Sequence, residues 1–237
     1  MLLNTLLIAT MSLLTPANAT PDGDSLSLTY LVRAPKVNIA NPPLLILLHG
    51  VGSNEADLFS LAEQLNDSCL IVSARAPFVI SEGSYKWYDV SFTSGKPQIN
   101  PVQAEQSRQI LLTFIDELKA KYKVNEKRIY LGGFSQGAIM SFSVALTAPE
   151  KIHGFIALSG RVLDEVRTQI ATSDRFKQLH ALIIHGTKDN VLPVQYAQQS
   201  HQLMQDIHID TEYHELPIAH NVSMETIRLI NEWLVKH

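Results

Sequence analysis

Hydrophobic positions along the chain switch repeatedly between a two-residue and a three-to-four-residue period. Leu26 to Val32 alternates apolar and polar residues, the pattern of a half-exposed strand. Leu44 to Leu48 is an unbroken apolar run, entered from Pro42-Pro43 and closed by His49-Gly50, which predicts a strand buried on both faces. Asn54 is placed to cap a helix with apolar positions Leu58, Leu61, Ala62 and Leu65, and Leu70 to Ser73 is a second buried strand. Pro77 to Asn100 has no period and is rich in Ser, Gly and aromatic residues; loops of that length in compact domains are often functional. Pro101 to Tyr122 predicts a helix through Ile110, Leu111, Phe114, Ile115 and Leu118. Arg128 to Leu131 reads as a strand, Gln136 to Leu146 as a helix, and Gly154 to Leu158 and His180 to Ile184 as strands. Pro193 suits the first position of a helix ending near Asp206. Thr211 to Leu216 alternates as a strand, and Val222 to Val235 is a closing amphipathic helix. Alternating strands and helices predict an α/β fold: right-handed crossovers and a mostly parallel central sheet with helices on both faces. The segment between the Gly154 and His180 strands, roughly twenty residues, leaves no room for a large cap domain.

The first residues stand apart. Leu2 to Leu14 is mostly apolar, uncharged and too short to cross a bilayer as a helix, and Ala17-Asn18-Ala19 gives a small-x-small cleavage pattern. Residues 1–19 are therefore expected to be a signal peptide, leaving 20–237 as a single secreted or periplasmic domain; a misassigned start would leave the protein cytoplasmic. Composition sharpens this picture. Hydrophobic residues at 46% and charged residues at 18% supply a sizeable core and exclude a disordered chain. The net charge of −4 lacks the basic footprint of nucleic-acid binders, and no stable membrane insertion is expected. The single cysteine, Cys69, excludes an internal disulfide or a Cys-rich zinc site and reads as a core residue of the run Cys69-Leu70-Ile71-Val72.

The chemistry concentrates at Gly133-Phe134-Ser135-Gln136-Gly137, a Gly-x-Ser-x-Gly pattern. The pattern is short, but a predicted strand precedes it and a predicted helix follows, as a nucleophile elbow requires. A serine hydroxyl needs a base, and the base needs an orienting group. The chain order of such sites puts the carboxylate next and the histidine last. Asp189, on the loop leaving the His180 strand, fits the carboxylate better than Asp164 or Asp174. His220, between the last strand and the last helix, is the candidate base; His214 lies in a strand pattern, His201 and His208 on or near a helix, and His153 and His180 near strand starts. Oxyanion donors are expected from the amides of Gln136 and Val51, the latter in His49-Gly50-Val51-Gly52-Ser53, with His49 supporting that loop rather than acting as a base. Six of the eleven glycines fall in these motifs, which points to a site rather than scattered turns. Trp87, in Trp87-Tyr88-Asp89, either packs the long loop or walls a substrate pocket.

Taken together, Leu48 to Glu55, Trp87-Tyr88-Asp89, Gly133 to Ala138, His185-Gly186-Thr187-Lys188-Asp189 with Val191 and Pro193, and Ala219-His220 resemble the phospholipase/carboxylesterase family of α/β-hydrolases, which includes the acyl-protein thioesterases. The resemblance spans about Leu26 to Val235. It implies a cap-less serine hydrolase without metal or organic cofactor, acting on small acyl esters, lysophospholipids or acyl thioesters through Ser135, Asp189 and His220. Two features depart from the family: Ala219 stands where many relatives have Gly, and the acyl-protein thioesterases are cytosolic, so an exported chain would favour small esters or lysolipids over acylated proteins. A catalytically inert binding domain on the same fold is the alternative. A homodimer is left open, because two-fold dimers are common and no segment here demands one.

Overall fold

The computed structural model describes residues 26–91 and 97–237, so the expected leader at 1–19 lies outside the described residues. In chain order the elements are β1 (Tyr30–Arg33), β2 (Leu44–Leu48), α1 (Ala56–Phe59), β3 (Leu70–Ala74), β4 (Phe78–Ser81), β5 (Ser84–Lys86), β6 (Val90–Ser91), β7 (Gln98–Ile99), α2 (Pro101–Lys121), β8 (Ile129–Phe134), α3 (Gln136–Thr147), β9 (Gly154–Leu158), α4 (Asp164–Arg167), β10 (His180–Gly186), α5 (Gln195–Asp206), β11 (Asp210–Leu216) and α6 (Met224–Lys236). Seven strands form one sheet in the order β1-β3-β2-β8-β9-β10-β11. Only β1 is antiparallel to its neighbour; the others run parallel, as the alternation of strands and helices predicts.

The continuous apolar runs are strands because both faces of the sheet are covered. In β2 every residue is buried, and its side chains divide by parity. Leu44, Ile46 and Leu48 join Phe114, Leu118 and Phe142 on the α2–α3 face, while Leu45 and Leu47 join Leu58, Ile230 and Trp233 on the α1–α6 face. Helix starts are set by local chemistry. The Asn100 side chain accepts from the Gln103 amide at 3.2 Å ahead of Pro101, and Ser223 with Thr226 forms a capping box for α6. Cys69 is buried beside the second of these layers, and burial pushes its thiol up to about 11, which leaves it inert as a nucleophile.

The structure corrects several expected elements. The helix expected after Asn54 is a short α1 followed by a 3-10 turn at Ala62–Gln64. Asn54 accepts from the Ala56 amide in a local turn and donates to Gly83 O, and the Ser60 hydroxyl turns back onto Asp57 O, so side chains compete with the helical ladder. The first strand begins at Tyr30 rather than Leu26, and α5 begins at Gln195, beyond Pro193. The region 77–100 is not one featureless loop: it contains the antiparallel pairs β4–β5 and β6–β7. β8 and β10 run further than their apolar stretches because Gly133 and Gly186 still pair with neighbouring strands.

Candidate active site

Val51 and the three candidate triad residues leave the main sheet at the carboxyl ends of parallel strands, whereas Trp87 follows β5 of the antiparallel β4–β5 pair. The loop after β2 carries Val51, Ser135 follows β8, Asp189 follows β10 and His220 follows β11. The winding direction reverses around β2, whose neighbours are β3 and β8, and such a switch point opens a crevice at this edge. Ser135 sits in the turn between β8 and α3 at φ 52°, ψ −116°, a conformation L-residues rarely adopt and one worth about 1–3 kcal/mol of strain. Neighbouring groups enforce it: the Ser135 amide donates to Leu158 O at 2.9 Å, and Ser135 O accepts from the Ile139 amide at 3.1 Å. The glycines are required by contact. A Cβ at Gly137 would lie 2.0 Å from Leu48 O, and one at Gly133 would lie 2.3 Å from the Gly137 carbonyl carbon.

The hydroxyl of Ser135 lies 3.0 Å from His220 Nε2, and His220 Nδ1 lies 2.6 Å from Asp189 Oδ2. With Nδ1–H donating to the carboxylate, Nε2 is left as the acceptor of the serine proton. The Phe134 ring packs on the imidazole with centroids 4.8 Å apart. Asp189 Oδ1 accepts from the amides of Val191 (2.9 Å) and Leu192 (2.8 Å). Burial pushes the Asp189 carboxyl up, but hydrogen bonds from His220 and from the Leu192 and Val191 amides outweigh it and hold the group below the ordinary aspartate range. His185, unassigned by sequence reasoning, is fully buried behind this turn; its Nε2 donates to Leu192 O at 2.7 Å and lies 3.4 Å from Asp189 Oδ2. Burial lowers its pKa and keeps it neutral.

The loop after β2 is braced from several directions. His49 is fully buried, with Nδ1–H donating to Gly50 O at 2.7 Å and Nε2 accepting from the Ala76 amide at 3.0 Å. Burial lowers its pKa, and this fixed neutral tautomer makes it a brace. Arg75 forms an ion pair with Glu55 and stacks on Tyr85 at 4.7 Å. The Gln136 side chain accepts from the Trp87 amide at 2.7 Å and donates to Tyr88 O at 2.8 Å, tying the start of α3 to the long loop.

Trp87 requires a correction as a substrate-contact residue. It is fully buried, its indole N–H donates to His49 O at 2.9 Å, and it does not line the pocket. Its ring packs between the loop after β2 and the core, and the pocket wall falls to its neighbour Tyr88. That pocket, about 60 Å³, is lined by Val51, Tyr88, Ile99, Ser135, Gln136 and Ile139, with Arg161 and Leu192 among the rest. On the other side of His220 a wider cleft of about 320 Å³ is bounded by Asp57, Leu61, Phe134 and Asn221. A larger cavity, about 780 Å³ beside His153 and His180, opens at the opposite ends of the strands and shares no residue with this site. Among the described residues one grouping could hold a metal, His180, Asp210 and His237, and it too lies at that opposite edge.

Residues 32–237 match the phospholipase/carboxylesterase family. The chain is 30% identical to acyl-protein thioesterase 1 homolog 1 of Dictyostelium discoideum over 202 residues, covering 81% of this chain and 88% of that one. It is 25% identical to acyl-protein thioesterase 1 of Kluyveromyces lactis, covering 81% and 91%. Among solved structures, a carboxylesterase from Mesorhizobium loti superposes with a TM-score of 0.79 over 93% of this chain and 100% of its own at 19% identity. Esterase PE8 does so at 0.75 over 88% and 98% at 24% identity. At those identities the structural likeness is one of fold. The relatives overturn the expected secreted or periplasmic location: they are eukaryotic acyl-protein thioesterases, the branch the resemblance places in the cytosol. No helix among the described residues is long and apolar enough to cross a membrane.

Proposed function

Because the chain belongs to the phospholipase/carboxylesterase family and is a carboxylic ester hydrolase, we propose that Ser135 is its nucleophile, His220 the general base and Asp189 the group that orients His220. The observation that carries this reading is the continuous line of contacts from Ser135 Oγ to His220 Nε2 at 3.0 Å and from His220 Nδ1 to Asp189 Oδ2 at 2.6 Å. Ser135 Oγ attacks the ester carbonyl as its proton passes to His220 Nε2. The amides of Gln136 and Val51 receive the oxyanion, a contact worth about 10²–10³ in kcat per donor. Collapse of the tetrahedral adduct breaks the carbonyl–alkoxy bond, and His220 protonates the departing alcohol. Water activated by the same imidazole then cleaves the acyl-serine and releases the acid.

The apolar pocket on the Val51 side takes the acyl group, and the wider cleft beyond His220 takes the alcohol. At about 60 Å³ the pocket is far smaller than the ~300–1,000 Å³ of cavities that enclose drug-sized ligands, which supports short acyl chains. Acyl thioesters form the second class, favoured by the name shared by the curated relatives. A chain-length series of p-nitrophenyl esters, matched acyl thioesters and a lysophospholipid, run on the protein and on Ser135→Ala, tests the proposal. Activity on short esters that vanishes in the variant is the expected result; full activity in Ser135→Ala would overturn it.

A further inference from the structure

Among the described residues, the small pocket beside Ser135 is lined mostly by apolar side chains, with Ser135 and Gln136 as polar groups and Arg161 as the one charged residue. Arg161 lines it together with Val51, Tyr88, Ile139 and Leu192. Nothing in the ester chemistry above uses this guanidinium. Its contacts are weak ones: a 3.4 Å bond from Nη1 to Val162 O and a stacking position 5.4 Å from the Tyr196 ring. Among the described residues no carboxylate lies within ion-pair distance of it; Arg33 and Arg128 also lack one, but their guanidinium groups donate to carbonyl and hydroxyl oxygens, Arg33 to Leu65, Asn66 and Cys69 O and Arg128 to Leu234 O and Tyr130 Oη.

The backbone that presents Arg161 is as constrained as the elbow. Ser159, which follows β9 on the strand next to β8, is held at φ 50°, and its amide donates to Ile184 O at 3.0 Å. A Cβ at Gly160 would meet the Ala138 side chain at 2.5 Å, so this turn is pressed against the first turn of α3. On the far side of Arg161, the Val162 amide is fixed to Ser200 Oγ at 3.1 Å. Two non-glycine residues with positive φ, Ser135 and Ser159, therefore stand at the same edge of adjacent strands. Strain of this kind persists where surrounding structure enforces it and collects at functional sites. One such turn aims the candidate nucleophile, and the other holds a cation at the wall of the same pocket.

A half-buried guanidinium facing apolar side chains has lost part of its hydration without gaining a counter-ion. An anionic substrate group supplies the missing partner and matches its fork of donors. We propose that Arg161 is a specificity residue that selects esters carrying an anionic group, a carboxylate or a phosphate, close to the scissile carbonyl. This deepens the ester-hydrolase reading above and rests on it.

Two matched substrate pairs test the proposal and locate the anion. On the acyl side, p-nitrophenyl pentanoate is compared with mono-p-nitrophenyl glutarate. On the alcohol side, 1-butyrylglycerol is compared with 1-butyrylglycerol 3-phosphate. The readout is the ratio of kcat/KM for the anionic member to that for the neutral one. In the unaltered protein the ratio exceeds one in the acyl-side pair, because Arg161 lines the pocket that takes the acyl group; a ratio above one in the alcohol-side pair alone would overturn that placement. In Arg161→Gln the ratio falls by about 10- to 100-fold, the range of a hydrogen bond to a charged group. Arg161→Lys recovers part of it, because a point charge replaces the fork. A variant that merely damages the pocket slows both members together and leaves the ratio in place, which would overturn the proposal. So would a ratio below one in both pairs of the unaltered protein. Failure of the underlying site reading is seen separately, as neutral-ester activity surviving in Ser135→Ala.

Discussion

Replacing Asp189 with Asn removes one charge while preserving shape. The Asp189 side chain is inaccessible to solvent and accepts three hydrogen bonds: from His220 Nδ1 at 2.6 Å, and from the Val191 and Leu192 amides at 2.9 and 2.8 Å. In Asp189→Asn the amide oxygen can keep both backbone donors. That orientation turns the NH2 group toward His220, and the NH2 can only donate. The imidazole then takes the tautomer whose Nδ1 accepts, which places its Nε2 proton against Ser135 Oγ and removes the acceptor for the serine proton. The expected loss in kcat is about 10⁴-fold, the cost of a wrong tautomer in such an array, equivalent to about 5.5 kcal/mol of barrier. Fold is expected to survive, because no volume changes and the backbone bonds remain. The assay is p-nitrophenyl ester turnover, with a thermal melt by circular dichroism on the same samples. A variant that melts near the parent temperature yet keeps more than about a tenth of kcat would refute the tautomer argument.

Other outcomes follow from the same contacts. Trp87→Phe keeps a six-membered aromatic ring but removes the pyrrole half of the fully buried indole and with it the donor to His49 O; the lost hydrogen bond and the cavity together should cost about 2–4 kcal/mol in urea denaturation. Its acyl chain-length profile should stay unchanged, whereas a shifted optimum would return Trp87 to the pocket wall. Gly137→Ala drives a Cβ to 2.0 Å from Leu48 O and should cost about 3–5 kcal/mol or abolish soluble expression; near-parent stability would show that the elbow relaxes freely. His49 and His185 are held neutral by burial, so their folded pKa values lie below the unfolded value near 6.5. Their contribution to stability is full above that value and is lost as pH falls below it, while Asp189, lowered by its hydrogen bonds, loses its own contribution only as pH falls below about 4. Urea midpoints should therefore drop between pH 7.5 and 5, and a flat profile would contradict this linkage.

The sequence alone determined what depends on local rules. Burial on both faces leaves unbroken apolar runs, so β2, β3, β9 and β10 are visible as strings of Leu, Ile, Val and Ala, and the alternation with helices sets the fold class. The elbow is legible because backbone contact forbids a Cβ at Gly133 and Gly137, and the order of motifs then selects Asp189 and His220 from many Asp and His residues. Tertiary structure decided everything that depends on which segments meet. The role of Trp87 turned on the position of the His49 carbonyl, 38 residues away in the chain, which made it a brace instead of a wall. The break after Phe59, the hairpins within 77–100 and the buried His185 behind Asp189 carry no periodic signal, because side-chain hydrogen bonds and packing partners set them rather than intrinsic propensity. Arg161 is an ordinary charge in the sequence. It becomes a pocket residue only because Gly160 presses against Ala138 and folds that turn over the edge of the sheet beside Ser135.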